Sequence, residues 1–169
     1  MSIHLGRLKK VELRDFFKDE ARDFTPWLAE ENNLELLGET LGIDIELEDT
    51  EVRIGKFSAD IVGLDRSSNR TIIIENQLEK TNHDHLGKII TYGGGKDAGI
   101  VIWICKKIQQ EHRKGLDYLN DISTEDYSFF GIEMELWKIG EGEPAPKFNI
   151  VVSPNEWSKA VKASTSSRT

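Results

Sequence analysis

The chain has 169 residues, a single cysteine and a formal net charge of −8. This length suits one domain; a lone cysteine excludes an intramolecular disulfide and any Cys-x-x-Cys zinc site, and the acidic balance argues against a simple nucleic-acid coat protein. No apolar run reaches the roughly 18 residues of a membrane span, and residues 1–10 lack the core of a signal peptide, so a cytoplasmic domain with no membrane contact is expected.

Taken in order, residues 11–24 predict a helix, with Leu13, Phe16, Phe17, Ala21 and Phe24 at helical spacing. Thr25-Pro26 reads as an N-cap followed by proline in the first turn, opening a second helix that runs to Leu41 and stops at Gly42. The period then changes to two. Ile43, Ile45 and Leu47 alternate with acids, and a second strand over 51–63 is broken near Gly55-Lys56. Residues 65–70 form a polar turn, and 71–77 a third strand whose Ile72-Ile73-Ile74 run predicts burial on both faces. Thr81 or Asn82 caps a helix that carries His85, Leu86, Ile89, Ile90 and Tyr92 and ends at Gly93-Gly94-Gly95. A strand over 99–105, a helix over 109–120, strands over 129–139 and 148–152, and a short helix from Pro154 through Trp157 follow. The domain is expected to span 1–162, with the polar tail 163–169 disordered. Three successive strands, a helix and a fourth strand predict an α/β fold with a mixed sheet flanked by helices. The strands on either side of that helix should be parallel, joined by a right-handed crossover.

The charge is unevenly spread. Residues 12–60 hold 15 acids and 5 bases, whereas 78–115 hold 7 bases, 4 acids and three of the four histidines. Local fields of this kind steer a polyanion more than the net charge does. Cys105, Trp103, Trp137 and Trp157 sit in apolar patterns and read as core. His112 and Arg113 open a helix, where solvation is the default. His83 and His85 are two apart on a helix and do not face each other, which makes a zinc pair unfavoured.

The chemistry is expected on neighbouring strands. A carboxylate inside an apolar strand is costly unless it is paired or bound to a cation, and Glu75 follows three isoleucines directly. Glu75 and Gln77 share a face and Asn76 points to the other. With Asp60 on the adjoining strand they would make an oxygen-rich site, two carboxylates and the Asn76 carbonyl, suited to Mg²⁺ or Mn²⁺.

The run Phe57-Ser-Ala-Asp60, a turn, then Ile72-Ile-Ile-Glu75-Asn76-Gln77 resembles the D…(D/E)-x-K signature of the PD-(D/E)XK, or restriction-endonuclease-like, superfamily. The phrases FTPWLAEENN, FSADI, IIIENQLEKTNHDHLGKIITY and EHRKGLDYLN are similar to an uncharacterised bacterial family of that kind. The resemblance implies a restriction-endonuclease-like core of αβββαβ order with further C-terminal strands, and a metal-dependent nuclease acting on DNA, with RNA the alternative substrate. Asp60 and Glu75 would bind the metal, and Gln77 stands where the family has lysine. Gln supplies no charge and can only orient water or substrate, so an inactive binding module of the same fold is the competing expectation. Lys88-x-x-x-Tyr92 occupies the place of a Gln-x-x-x-Tyr sub-motif, which makes Lys88 a candidate phosphate contact or relocated cation. Lys80, His85 and Tyr92 complete the expected nucleic-acid contacts, and a homodimer is carried as a further expectation.

Overall fold

The structure, a computed structural model, describes residues 1–154; the expected helix through Trp157 and the tail 163–169 lie outside the described residues. Strand β1 is Leu8–Val11, followed by the short helix α1, Leu13–Phe16, a π-helical turn, Glu20–Phe24, and helices α2, Thr25–Ala29, and α3, Glu31–Leu41. Strands β2, Ile45–Ile54, β3, Phe57–Asp65, and β4, Arg70–Lys80, precede helix α4, His83–Lys96. Strand β5, Ile100–Lys107, helix α5, Gln110–Ile122, and strands β6, Ser128–Ile139, and β7, Ala145–Val152, complete the fold.

The sheet is mixed, as the sequence predicts. β2, β3 and β4 are successively antiparallel, and β4, β5 and β6 are parallel. β7 runs antiparallel along one edge of β6; β5 and β1 share the other, β5 against its first half and β1 against its second. Helices cover both faces. One core layer packs Leu13, Phe24, Leu28, Leu34 and Leu37 against Ile61, Ile72, Ile74 and Ile102. The other packs Ile89, Tyr92 and Leu116 against Val62, Ile73, Val101 and Trp103. The alternate isoleucines of β4 therefore go to opposite layers, which is why an uninterrupted apolar run was needed there. Cys105 and Trp103 are fully buried, the Cys105 thiol donating to the Ile132 carbonyl. No helix among the described residues is long and apolar enough to cross a membrane.

Three local expectations are corrected. The helix predicted over 11–24 is instead β1, α1 and the π-helical turn. Asp19 interrupts it, its carboxylate accepting from the Arg22 amide while its own amide donates to Asp23. Such side-chain bonds let an Asp start a new turn where a helix would otherwise continue. The helix predicted from Thr25 to Leu41 breaks at Glu30, which is extended (φ −63°, ψ 140°); Gly42 does close α3 in the left-handed region (φ 73°). Finally, α4 does not end at Gly93-Gly94-Gly95 but continues to Lys96, with Asp97 left-handed (φ 50°) behind it. Two of these glycines serve packing: a Cβ on Gly95 would lie 2.6 Å from Ile54 Cγ2 and one on Gly93 3.2 Å from Val101 Cγ2.

Candidate active site

The β3–β4 pairing ends at Ile61 and Ile74, and one further step of that register sets Asp60 beside Glu75. There the main-chain ladder gives way to a side chain: Asp60 Oδ2 accepts from the Asn76 amide at 2.7 Å. Beyond this point β4 is flanked by the π-helical turn. Glu20 Oε1 accepts from the Leu78 amide at 3.0 Å and from Arg14 Nη2 at 2.9 Å, and Arg14 also reaches Glu79. The N-terminal helical segment and the sheet thus enclose a cavity of about 440 Å³ whose walls include Glu20, Asp60, Glu75, Gln77, His85 and Lys88.

Glu75 is 3% exposed, Asn76 1% and Gln77 2%. Glu75 Oε2 and Gln77 Oε1 are buried with no hydrogen-bond partner. Two adjacent orphaned acceptors are costly, about 1–3 kcal/mol each, and a buried carboxylate answers the cost by holding its proton. Burial first, and then repulsion from Asp60, pushes the Glu75 carboxyl up to about 9, against the pull of the Lys88 ammonium. Asp60 rises to about 6, chiefly through burial, with the Asn76 amide opposing and the charges of Glu51 and Glu20 adding to the rise. The two carboxyl groups are electrostatically coupled, as their place on adjoining strands implies.

The donors fit a hard divalent cation. Two carboxylates and the Gln77 amide oxygen offer oxygen only, and one oxygen of Glu75 together with that of Gln77 is unspent. Asn76 turns its side chain away, its amide donating to Thr25 Oγ1 at 3.0 Å, so it could contribute its main-chain carbonyl alone. Among the described residues no three His, Cys, Asp or Glu side chains gather as a metal cage. Waters would therefore complete the shell, as they usually do for Mg²⁺.

The other expected contacts divide. Lys88 is brought to the carboxylates: its charge lowers the pKa of both, and its amine also lies 3.4 Å from Asp84. His85 lines the same cavity, its ring and amide both held by Asn82, and burial lowers its pKa. Tyr92 is buried on the same side, near enough that the charges of Glu75 and Asp60 add to the effect of burial in pushing its phenol up to about 12. Lys80 is not among the residues around the carboxylates. It lines a separate cavity of about 800 Å³ with Lys107, Arg113 and Lys114 at the start of α5.

Sequence reasoning missed Glu20 and Arg14, which reach the site only because Asp19 breaks the first helix. No local signal marks them, because charged residues run all through the segment 11–24. Sequence reasoning also placed His112 in solvent. His112 is 4% exposed, because α4 and α5 meet there. Thr81 Oγ1 and His112 Nδ1 are 2.7 Å apart, His112 Nε2 and His83 Nδ1 2.7 Å, and the Gln109 amide donates to Thr81 Oγ1 at 2.9 Å.

No protein-family model matches the sequence, and no curated protein does. Among solved structures the chain is similar to a repair endonuclease from Pyrococcus abyssi, at 16% identity and TM-score 0.44 over 53% of this chain and 42% of that one. It is similar also to EndoMS in a complex with double-stranded DNA, at 15% identity and TM-score 0.44 over 62% and 45%. The type IIG restriction endonuclease BpuSI matches at 14% identity and TM-score 0.30 over 86% and 16%. The chain spans less than half the length of the first two.

Proposed function

We propose that this chain is a divalent-cation-dependent nuclease that hydrolyses phosphodiester bonds in DNA, with Asp60 and Glu75 as the metal-binding carboxylates. The observation that carries the reading is the pairing of half-buried Asp60 with buried Glu75, with an unpartnered oxygen on each of Glu75 and Gln77 beside it. A fold does not retain two coupled carboxyls and two orphaned acceptors in its interior for stability; perturbed groups in a cleft mark chemistry. When bound, Mg²⁺ or Mn²⁺ would lower the pKa of a water and neutralise the phosphate. Asp60 and Glu75 hold the site's negative charge, Gln77 Oε1 accepts a hydrogen bond from water and so aims it, and Lys88 offsets the charge that grows on the phosphate. The attacking oxygen, its proton released to solvent, adds to phosphorus as the bond to the leaving oxygen breaks in line, and the leaving oxygen takes a proton from solvent. His85, whose pKa burial lowers, and Tyr92 stand beside this path.

Cleavage of single- and double-stranded DNA with Mg²⁺ or Mn²⁺, beside an Asp60→Ala control, tests the reading. Equal cleavage by the variant would end it. A second reading, a nuclease fold retained as a binding module, is favoured by one observation: Gln77 carries no charge and the Lys88 ammonium is partly engaged by Asp84. Calorimetric titration with Mn²⁺ separates the two. The nuclease must bind the ion at neutral pH, displacing the Glu75 proton as it does so.

A further inference from the structure

A smaller cavity of about 260 Å³ lies on the other side of Lys88 from the carboxylate cavity, with Phe57, Asp84, Gly87, Lys88, Thr91 and Tyr92 in its walls. Lys88 lines both cavities. A phosphate held near Asp60 and Glu75 would therefore have its own nucleoside, or the next one, directed across Lys88 into this space.

Its construction is that of an aromatic slot. Phe57 opens β3 at the tip of the β2–β3 hairpin and is 52% exposed, although its ring lies 6.4 Å from that of buried Tyr92. One side of Phe57 is thus braced by the core while the rest stays open, the arrangement a stacking platform needs. The floor is bare by sequence. Gly87 sits inside α4, where glycine is a poor helix former, yet a Cβ there would meet nothing within 4 Å. Packing does not call for this glycine, but it keeps the slot open. The volume is below the roughly 300–1,000 Å³ of a drug-sized site and suits one planar ring system rather than a base pair. Thr91 and Asp84 bring polar residues to its lining.

We infer that this cavity receives a single unpaired nucleobase, stacked on Phe57, so that the substrate is single-stranded or locally opened DNA. The inference rests on the nuclease reading for the position of the neighbouring phosphate. A duplex keeps its bases stacked inside, and extruding one has a cost; a single strand reaches the slot without it.

The test uses the full chain with Glu75→Gln, to prevent cleavage, and fluorescence anisotropy at low salt. The probes are a short single strand, its duplex, and an abasic strand of the same length. The single strand should bind about tenfold tighter than either of the others, the scale of one base–aromatic stack. Phe57→Ala, and Gly87→Leu filling the floor, should each remove that preference, and Phe57→Trp should restore it. An unchanged thermal midpoint in Gly87→Leu guards against a folding defect. Equal binding of intact and abasic strands, no strand binding at all, or indifference to both Phe57→Ala and Gly87→Leu would overturn the slot. Cleavage without base dependence would sink the slot and leave the nuclease reading intact. Base-dependent binding with no cleavage by the unaltered chain in any metal would sink the nuclease reading and leave the slot.

Discussion

Two cavities lie near the C-terminal end of β4, and they differ in what their walls leave unsatisfied. The larger, about 800 Å³, carries Lys80, Lys107, Arg113 and Lys114 among Glu111, Asp117 and Glu133. Two of its charges have conventional outlets: Lys107 lies 3.6 Å from Glu133, and Glu133 also accepts from the Ile108 amide. The smaller, about 440 Å³, holds the coupled acids and the buried orphaned oxygens. Size and surface charge thus point one way and unsatisfied interior groups the other. The second criterion is the physical one, because exposed charges are solvated at little cost while buried unpaired ones are not.

The widest separation between the two cavities should come from Asp60→Ala, expected to lower DNA cleavage at least about 100-fold, as loss of a major electrostatic stabiliser does. The double change Arg113→Ala and Lys114→Ala should alter the rate no more than about threefold, the scale of exposed charges. A reversal of these effects, in gel assays of initial rate, would move the active site to the larger cavity.

Next in size is the dependence of stability on pH. The raised Glu75 carboxyl keeps its proton in the folded state up to about 9, whereas the unfolded chain releases it near 4.5. Between those values the unfolded state binds fewer protons, so metal-free stability falls as pH rises and levels above about 9. Glu75→Gln removes this slope. The variant should be clearly more stable than the unaltered chain at pH 8 and match it near pH 4.5. Urea unfolding in EDTA at the two pH values measures the difference, and a variant less stable at pH 8 would contradict the burial of an unspent carboxyl.

Smaller again is Lys88→Ala, expected to slow cleavage about tenfold, a loss of about 1.4 kcal/mol in transition-state binding. If Lys88 supplies the cation, Gln77→Lys should change the rate by less than about threefold. A large gain from Gln77→Lys, with no loss from Lys88→Ala, would instead mark Gln77 as the missing charge.

Much of this was legible in the chain. The isoleucine run of β4 specified burial on both faces, and period two fixed which way Glu75, Asn76 and Gln77 point. The crossover through α4 then dictated that β4 and β5 be parallel. What stayed illegible depended on contacts distant in sequence. Glu20 joins the site through the Leu78 amide, 58 residues away, and nothing in its own neighbourhood announces that. Gly93-Gly94-Gly95 reads locally as a stop, but close packing on Ile54 and Val101 overrides the local preference. His112 reads as a solvated residue at a helix start until α4 is laid beside α5.

The chain of bonds through His112 has a direction that the backbone imposes. The Gln109 amide can only donate, so Thr81 Oγ1 is an acceptor there, and the hydrogen of this buried hydroxyl finds its outlet on its other partner, His112 Nδ1. His112 is then the Nε2–H tautomer, and it donates to His83 Nδ1, which leaves His83 protonated on Nε2 as well. One amide at the head of α5 thereby selects the tautomer of two rings on two helices. Nitrogen-15 chemical shifts of both imidazoles, bare at δ and protonated at ε, would report the junction of α4 and α5 as intact. Loss of that pattern would register its opening before any helix unwinds.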